Sequence, residues 1–183
     1  STNVETWFGT RGISKQTLTD LQVTEGSEWM PQTTKNENTI QFNYFMGDQL
    51  INVKYRDGRK NFKLYKGAEK VFYNINSVVG YDWCVVVEGE MDVLALHEAG
   101  IKNAISVPNG ATLNTNNLDY LDNCIDYLDD KTKIILAVDA DAAGQALRTE
   151  FIRRLGAEVC YLVDFNGQKD ANEYLIENGA EAL

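Results

Sequence analysis

The amino-acid sequence predicts an α/β protein: a parallel sheet flanked by helices over residues 81–183, preceded by a small mixed α+β portion over residues 1–80 built on an antiparallel meander. Three observations lead there. Beyond residue 80, near-continuous Val/Ile runs alternate with amphipathic stretches of roughly 10–15 residues, the pattern of βαβ units whose sheet is covered on both faces. Before it, shorter segments mix β-formers and aromatics between turn signals. A chain of 183 residues with 44% apolar and 10% aromatic side chains also has the material for a sizeable core without disulfides or a structural metal.

The elements follow in order. Ser14 is a candidate N-cap for a short helix over 15–20. TIQFNYF (39–45), QLINVKYR (49–56) and KNFKLY (60–65) are strands, and Met46-Gly47-Asp48 and Asp57-Gly58 supply the turns that fold them into a meander. Four parallel strands are expected at WCVVVE (83–88), AISVP (104–108), KIILAVD (133–139) and EVCYLVD (158–164). The helical stretches are VLALHEAG (93–100), LNTNNLDYLDNCIDYLDD (113–130), AGQALRTEFIRRLG (143–156) and ANEYLIENG (171–179).

Composition excludes several classes. Seventeen Lys and Arg against 27 Asp and Glu give a net charge of −10, which argues against coating DNA or an anionic membrane through the overall field. Cys84, Cys124 and Cys160 are odd in number and far apart, and there is one histidine, so neither a disulfide scaffold nor a four-ligand zinc site can be built from this chain. A reducing compartment is expected. No run of 18 apolar residues occurs, and STNVETWFGTRG lacks a signal peptide's basic flank and apolar stretch. The chain therefore reads as cytoplasmic, with no membrane partner.

In parallel sheets, ligand chemistry sits outside the carboxyl ends of the strands. Those exits are Glu88, Pro108-Asn109-Gly110, Asp139 and Asp164, three of the four acidic. In VVVEGEMD (85–92), Glu88 ends an apolar strand where an unpaired carboxylate is costly, so a metal, an arginine or a water network is expected beside it. Gly89 frees the turn, and Glu90 and Asp92 open the next helix, where the dipole favours negative charge. In ILAVDADAAGQAL (135–147), Asp139 and Asp141 are two apart and point the same way in an extended strand end, toward one hard cation such as magnesium; Gly144 lets the chain turn closely into its helix. In DFNGQKDANEYL (164–175), Asp170 either caps the final helix or extends the carboxylate cluster, and Lys169 meets a phosphate or balances the cluster.

Charge is segregated. Between Asp48 and Lys70 stand Lys54, Arg56, Arg59, Lys60, Lys63, Lys66 and Lys70 against three acids, a window of +4 that leaves −14 for the remainder. Phe62, Tyr65, Phe72 and Tyr73 are interleaved with it, as a groove for a nucleotide polyphosphate or a single strand requires; the plainer reading is an edge hairpin guarded by lysines. His97, the three cysteines, and Trp7, Trp29 and Trp83 are assigned to packing or surface positions.

Strand-EGEMD, strand-DADAAG and KDANE, in that order and spacing, resemble the Toprim domain of primases, topoisomerases and certain nucleases. With RGISKQT (11–17) and GRKNFK (58–63), the chain is similar to the primase (RNA polymerase) portion of tailed-phage primase-helicases along nearly its whole length. The resemblance implies a DNA primase that makes short RNA primers on single-stranded DNA from NTPs by metal-dependent nucleotidyl transfer. It also implies a bacterial setting of phage or mobile-element origin. By the same resemblance, Glu88, Asp139, Asp141 and Asp170 hold Mg2+ or Mn2+, two ions with substrate bound, and Glu88, Asp139 and Asp141 are catalytic. Lys54, Arg56, Lys60, Lys63 and Lys169 contact nucleotide or template, while Gly89, Asp92 and Gly144 support the site.

A zinc module and a replicative helicase are the implied partners. Neither a four-ligand zinc set nor a GxxxxGK[ST] phosphate loop is present in these 183 residues. Two other readings remain open: a Toprim nuclease or topoisomerase fragment that cleaves DNA phosphodiesters, and a non-catalytic magnesium-binding α/β interaction domain.

Overall fold

A computed structural model describes residues 1–111, 118–163, 165 and 167–183. The chain opens with helix α1 (Thr2–Gly9) and helix α2 (Lys15–Asp20), the latter started by Ser14, whose side chain accepts from the amide of Thr17. Strands β1 (Thr24–Met30), β2 (Lys35–Met46), β3 (Gln49–Asp57) and β4 (Phe62–Leu64) then form an antiparallel sheet in sequence order, the expected meander. Helix α1 and strand β1 are additions to the predicted elements. In TEGSEWM (24–30) most residues face solvent on an edge strand, so no apolar alternation marks it.

The second half begins with strand β5 (Trp83–Val87), helix α3 (Glu90–Glu98) and strand β6 (Ala104–Ser106). The stretch predicted as one helix over 113–130 falls partly outside the described residues, and the rest is a short helix α4 (Asp119–Asn123) with a 3-10 turn over Ile125–Tyr127. Strand β7 (Lys133–Leu136), helix α5 (Ala142–Leu155), strand β8 (Cys160–Leu162) and helix α6 (Ala171–Asn178) complete it. The four parallel strands lie in the order β6-β5-β7-β8. The connection from β5 leads to one side and the next crosses back to the other, so the chain reverses between β5 and β7, and loops leaving those strands must diverge. That opening places the site.

One apolar cluster includes Phe8, Phe42 and Tyr44 from the N-terminal elements together with Val86, Leu94 and Phe151. Two polar links join the sheets. Tyr73 and Ser106 exchange backbone hydrogen bonds of 2.9 and 3.3 Å, tying the segment after the meander to β6. Lys54 on β3 donates to both Glu90 oxygens at 2.9 and 3.0 Å, and the Tyr44 hydroxyl donates to the same carboxylate, all nearly out of solvent. Among the described residues no helix is long and apolar enough to cross a membrane.

Removing one partner of a buried pair strands the other charge, which costs about 3–5 kcal/mol. Glu90→Ala is therefore expected to lower the free energy of urea unfolding by that order, whereas Ser14→Ala, which loses one helix cap, lowers it by about 1 kcal/mol.

Candidate functional site

Where β5 and β7 end, the ladder between them changes character. Ala137 donates to the carbonyl of Val86 at 2.9 Å, but two residues on, the amide of Asp139 donates to Glu88 Oε1 at 2.8 Å. A side-chain carboxylate takes the next rung. The start of α5 lies so close that a Cβ on Gly144 would fall on the carbonyl oxygen of Asp139 and 2.5 Å from Glu88 Oε1. Glycine is required there by space, not by backbone angle.

This exit opens into a cleft of about 410 Å³. Its acidic wall carries Glu88 and Asp92 from one stretch of chain and Asp139 and Asp170 from two others, with Gly89 and Lys169 beside them. Burial, then repulsion from Asp139, pushes the Glu88 carboxyl up to about 7. Burial likewise raises Asp139, although Lys169 Nζ sits 3.0 Å from its Oδ2 and opposes the shift. Asp92 is raised well above the usual carboxylate range by burial and by Asp170, while accepting from the amide of Asn172 at 3.1 Å.

The predicted acids do not all arrive together. Asp141 is exposed and caps α5, accepting from the amide of Gly144 at 2.9 Å, instead of sharing a direction with Asp139; it does not line the cleft, though its charge is felt by Glu88 and Asp139. Asp170 does line the cleft and also caps α6, accepting from the amide of Glu173 at 2.8 Å. Asp164 lies outside the described residues. Among the described residues, no three Asp, Glu, His or Cys side chains are gathered closely enough to hold a metal ion. The donor set nevertheless suits a hard cation: oxygen ligands only, several of them raised by burial and then by mutual repulsion, which an added positive charge would relieve. Lys169 is the cation that Asp139 holds in its absence.

The opposite wall is basic, and strand period decides which residues join it. Arg56 pairs across from Phe62 and Lys54 across from Leu64, so these four share one face; Lys63, opposite Tyr55, is on the other. Lys54, Arg56 and Lys60 line the cleft. Lys63 instead donates to Glu28 at 2.5 Å and to the carbonyl of Trp29 at 2.7 Å. Lys60 has a φ of +66°, uncommon for a non-glycine residue; its loop is gathered by the Asp57 carboxylate, which accepts from the amides of Arg59 and Asn61 at 2.9 and 2.8 Å.

Trp7 and Arg11 complete this wall and were not singled out as site residues from sequence. The Arg11 and Arg56 guanidinium carbons lie 3.6 and 4.4 Å from the Trp7 ring centroid, one indole carrying two cations. Arg11 belongs to RGISKQT, so the resemblance held a signal for it; nothing local marked Trp7. Glu90, read as part of a helix start, is the partner of Lys54. His97 is buried with Nε2 3.1 Å from Asp20 Oδ2, away from the cleft, and Cys84 and Cys124 are buried.

A family model described as Toprim-like matches residues 85–175, which include Glu88, Asp139 and Asp170. This is a Toprim-domain protein. Its sequence is 34% identical over 197 residues to the Primase homolog protein of Arabidopsis thaliana, an alignment covering 98% of this chain and 57% of that protein. It is 32% identical to the Twinkle homolog protein, chloroplastic/mitochondrial, of the same plant, over 98% of this chain and 27% of that protein. The chain thus spans little more than half of one relative and about a quarter of the other. The primase fragment of the bacteriophage T7 primase-helicase protein superposes with a TM-score of 0.78 at 26% identity, over 95% of this chain and 70% of that one. The Toprim-domain chain is thereby related, in sequence and in fold, to phage and bacterial DNA primase catalytic cores.

Two outcomes follow from the geometry of the Toprim site. Because Glu88, Asp92 and Asp139 are raised, the folded state binds protons that the unfolded chain releases, so their stabilising contribution is present below the ordinary carboxylate pKa of about 4 and is lost as pH rises through their folded values, which for Glu88 is about 7. In chelator-treated protein the melting temperature should fall from about pH 5 to about pH 8, magnesium should restore more of it at the upper end, and Glu88→Gln should flatten the chelated profile. Gly144→Ala should destabilise by about 1–3 kcal/mol in urea unfolding, since the added methyl meets backbone that cannot move aside cheaply.

Proposed function

We propose that this chain is the catalytic core of a DNA primase, joining NTPs into short RNA primers on single-stranded DNA. The observation that carries the reading is the division of one cleft into a carboxylate wall and a cationic wall, in a chain related to primase cores. Nucleotidyl transfer needs this division, because a polyphosphate must be held while the charge on its reacting oxygens is neutralised.

Arg11, Arg56 and Lys60 serve as phosphate anchors: none of the three has a carboxylate within ion-pair distance among the described residues, so their charge is available to an anion. Arg56 is pre-set by the Trp7 face, which limits the entropy lost on binding. Lys54 is paired with both oxygens of Glu90 and so is held in place on this wall. Magnesium or manganese, two ions with substrate bound, would be held by Glu88, Asp139 and Asp170, with Asp141 turning in from its helix cap, and would supply charge neutralisation to the reacting phosphate. Glu88, fixed by the Asp139 amide, is under this reading the carboxylate that takes the proton of a ribose 3′-hydroxyl as it attacks the α-phosphate with release of pyrophosphate. Lys169, freed from Asp139, turns to a phosphate.

Single-stranded DNA and NTPs are the substrates under this reading, with a separate zinc module and a replicative helicase as partners and replication in a bacterial or phage-infected cytoplasm as the setting. Incubation with single-stranded DNA, labelled NTPs and magnesium or manganese should yield short RNA. Asp139→Asn and Glu88→Gln should each reduce it by about 100-fold or more. Cleavage of labelled DNA without NTPs would point to the nuclease reading. Absence of product from the unaltered protein, even with a separate zinc module supplied, would overturn the assignment.

A further inference from the structure

Beside the cleft lies a second hollow of about 410 Å³ whose lining includes Phe62 and Leu64 on one side and Pro108 and Gly110 on the other. Phe62 lines both hollows, as do Lys54 and Gly110. The volume falls in the range of sites that take small organic ligands, and the lining is mainly apolar with Lys54 and Lys63 in it. Phe62 is 39% exposed, on a sheet that buries Phe42 and Tyr44 but also exposes Trp29 at its other edge. Its position is fixed: the backbone pairs with Arg56, and its carbonyl accepts from the Gln32 side chain at 2.8 Å. Lys54 Nζ and Arg56 Cζ lie 5.2 and 5.9 Å from the ring centroid, close enough to polarise it without the closer approach both cations make to other groups. The turn across from it, Pro108-Asn109-Gly110, leaves β6 at the sheet end where ligands bind, and a Cβ on Gly110 would meet nothing within 4 Å.

We propose that this second hollow is a nucleobase slot, in which the face of Phe62 stacks on a base while the 108–110 turn closes the other side. The inference rests on the primase reading for its substrate class and adds a specific contact to it. A rigid, half-exposed ring flanked by cations is the arrangement that holds a base by its π-face while adjacent phosphates meet positive charge, without reading sequence. Because Phe62 also borders the acidic cleft, a base seated there has its own sugar-phosphate at the Lys54 rim.

The base could belong to a single-stranded template or to a nucleotide, and two probes separate these sources: an oligodeoxynucleotide carrying 2-aminopurine, and 2-aminopurine riboside triphosphate, each bound in the presence of calcium to the whole chain. Stacking quenches 2-aminopurine emission. Quenching of either probe supports the slot and identifies the source of the base; quenching of neither overturns it. Phe62→Ala and Phe62→Leu should weaken binding of the quenched probe roughly 5- to 150-fold, and Phe62→Trp should preserve it. Affinity unchanged in both Phe62→Ala and Phe62→Leu would overturn the proposal.

Salt dependence separates stacking from a mere prop for Lys54 and Arg56. The slope of log affinity against log salt, which counts neutralised phosphates, should be the same in Phe62→Ala as in the unaltered protein. A shallower slope would mean that the ring only positions the cations, and would overturn the slot. Melting temperatures of the variants should stay close to the parent because the ring is half-exposed on an edge strand. Quenching without primer synthesis leaves the slot standing while the primase reading falls; synthesis with indifferent Phe62 variants does the reverse.

Discussion

The rung between Glu88 and the amide of Asp139 is the contact on which the rest of the site depends. By placing a carboxylate where a backbone carbonyl would stand, it carries the register of two parallel strands into the loops beyond them and fixes one acid relative to the other. The same contact leaves no room for a side chain at the start of α5, so the helix enters within touching distance of both strand ends. A buried carboxylate at this spot is tolerable because it accepts that amide and a second from Ala111, yet burial and Asp139 still raise it. The strand switch supplies the opening, and Glu88 sets its floor.

Charge in the molecule is arranged by walls, not by total. A net −10 says little about partners when three raised carboxylates face arginines and lysines across one cleft. Internal ion pairs keep the two sides from collapsing onto each other: Lys169 holds Asp139, and Glu90 holds Lys54. The pair Lys54–Glu90 also spans the two sheets, so the basic wall is registered to the acidic one through a nearly buried contact. Such pairs are a weak source of stability but a strong constraint on geometry once formed.

Several parts of this were legible in advance because they are local. Ser14 caps the helix it precedes, the turns after Met46 and Asp57 divide the meander, and continuous apolar runs mark four parallel strands. Glu88 and Asp139 stand directly after such runs, so any parallel sheet would bring them to the same end. Strand β1 and helix α1 carried no comparable signal: one is a largely solvent-facing edge, and the other buries only Phe8. Lys63 and Lys54 looked equivalent in composition, yet strand alternation turned them to opposite faces.

The sequence by itself determined the fold class, the order of the meander strands β2–β4 and of the four parallel strands, the acids at the strand exits and the segregation of positive charge, since each depends on periodicity or on immediate neighbours. Tertiary structure alone decided which of those groups meet. Asp141 was drawn to its own helix N-terminus because free amides lay three residues away, while Asp170 kept a place on the cleft wall as well as its cap. Arg11 and Trp7 reached Arg56 from more than 40 residues off, through the packing of α1 on the meander, and Phe62 was left half-exposed between two hollows. These are outcomes of strand register and long-range packing, in which one residue's shift reverses a face, and no local pattern encodes them.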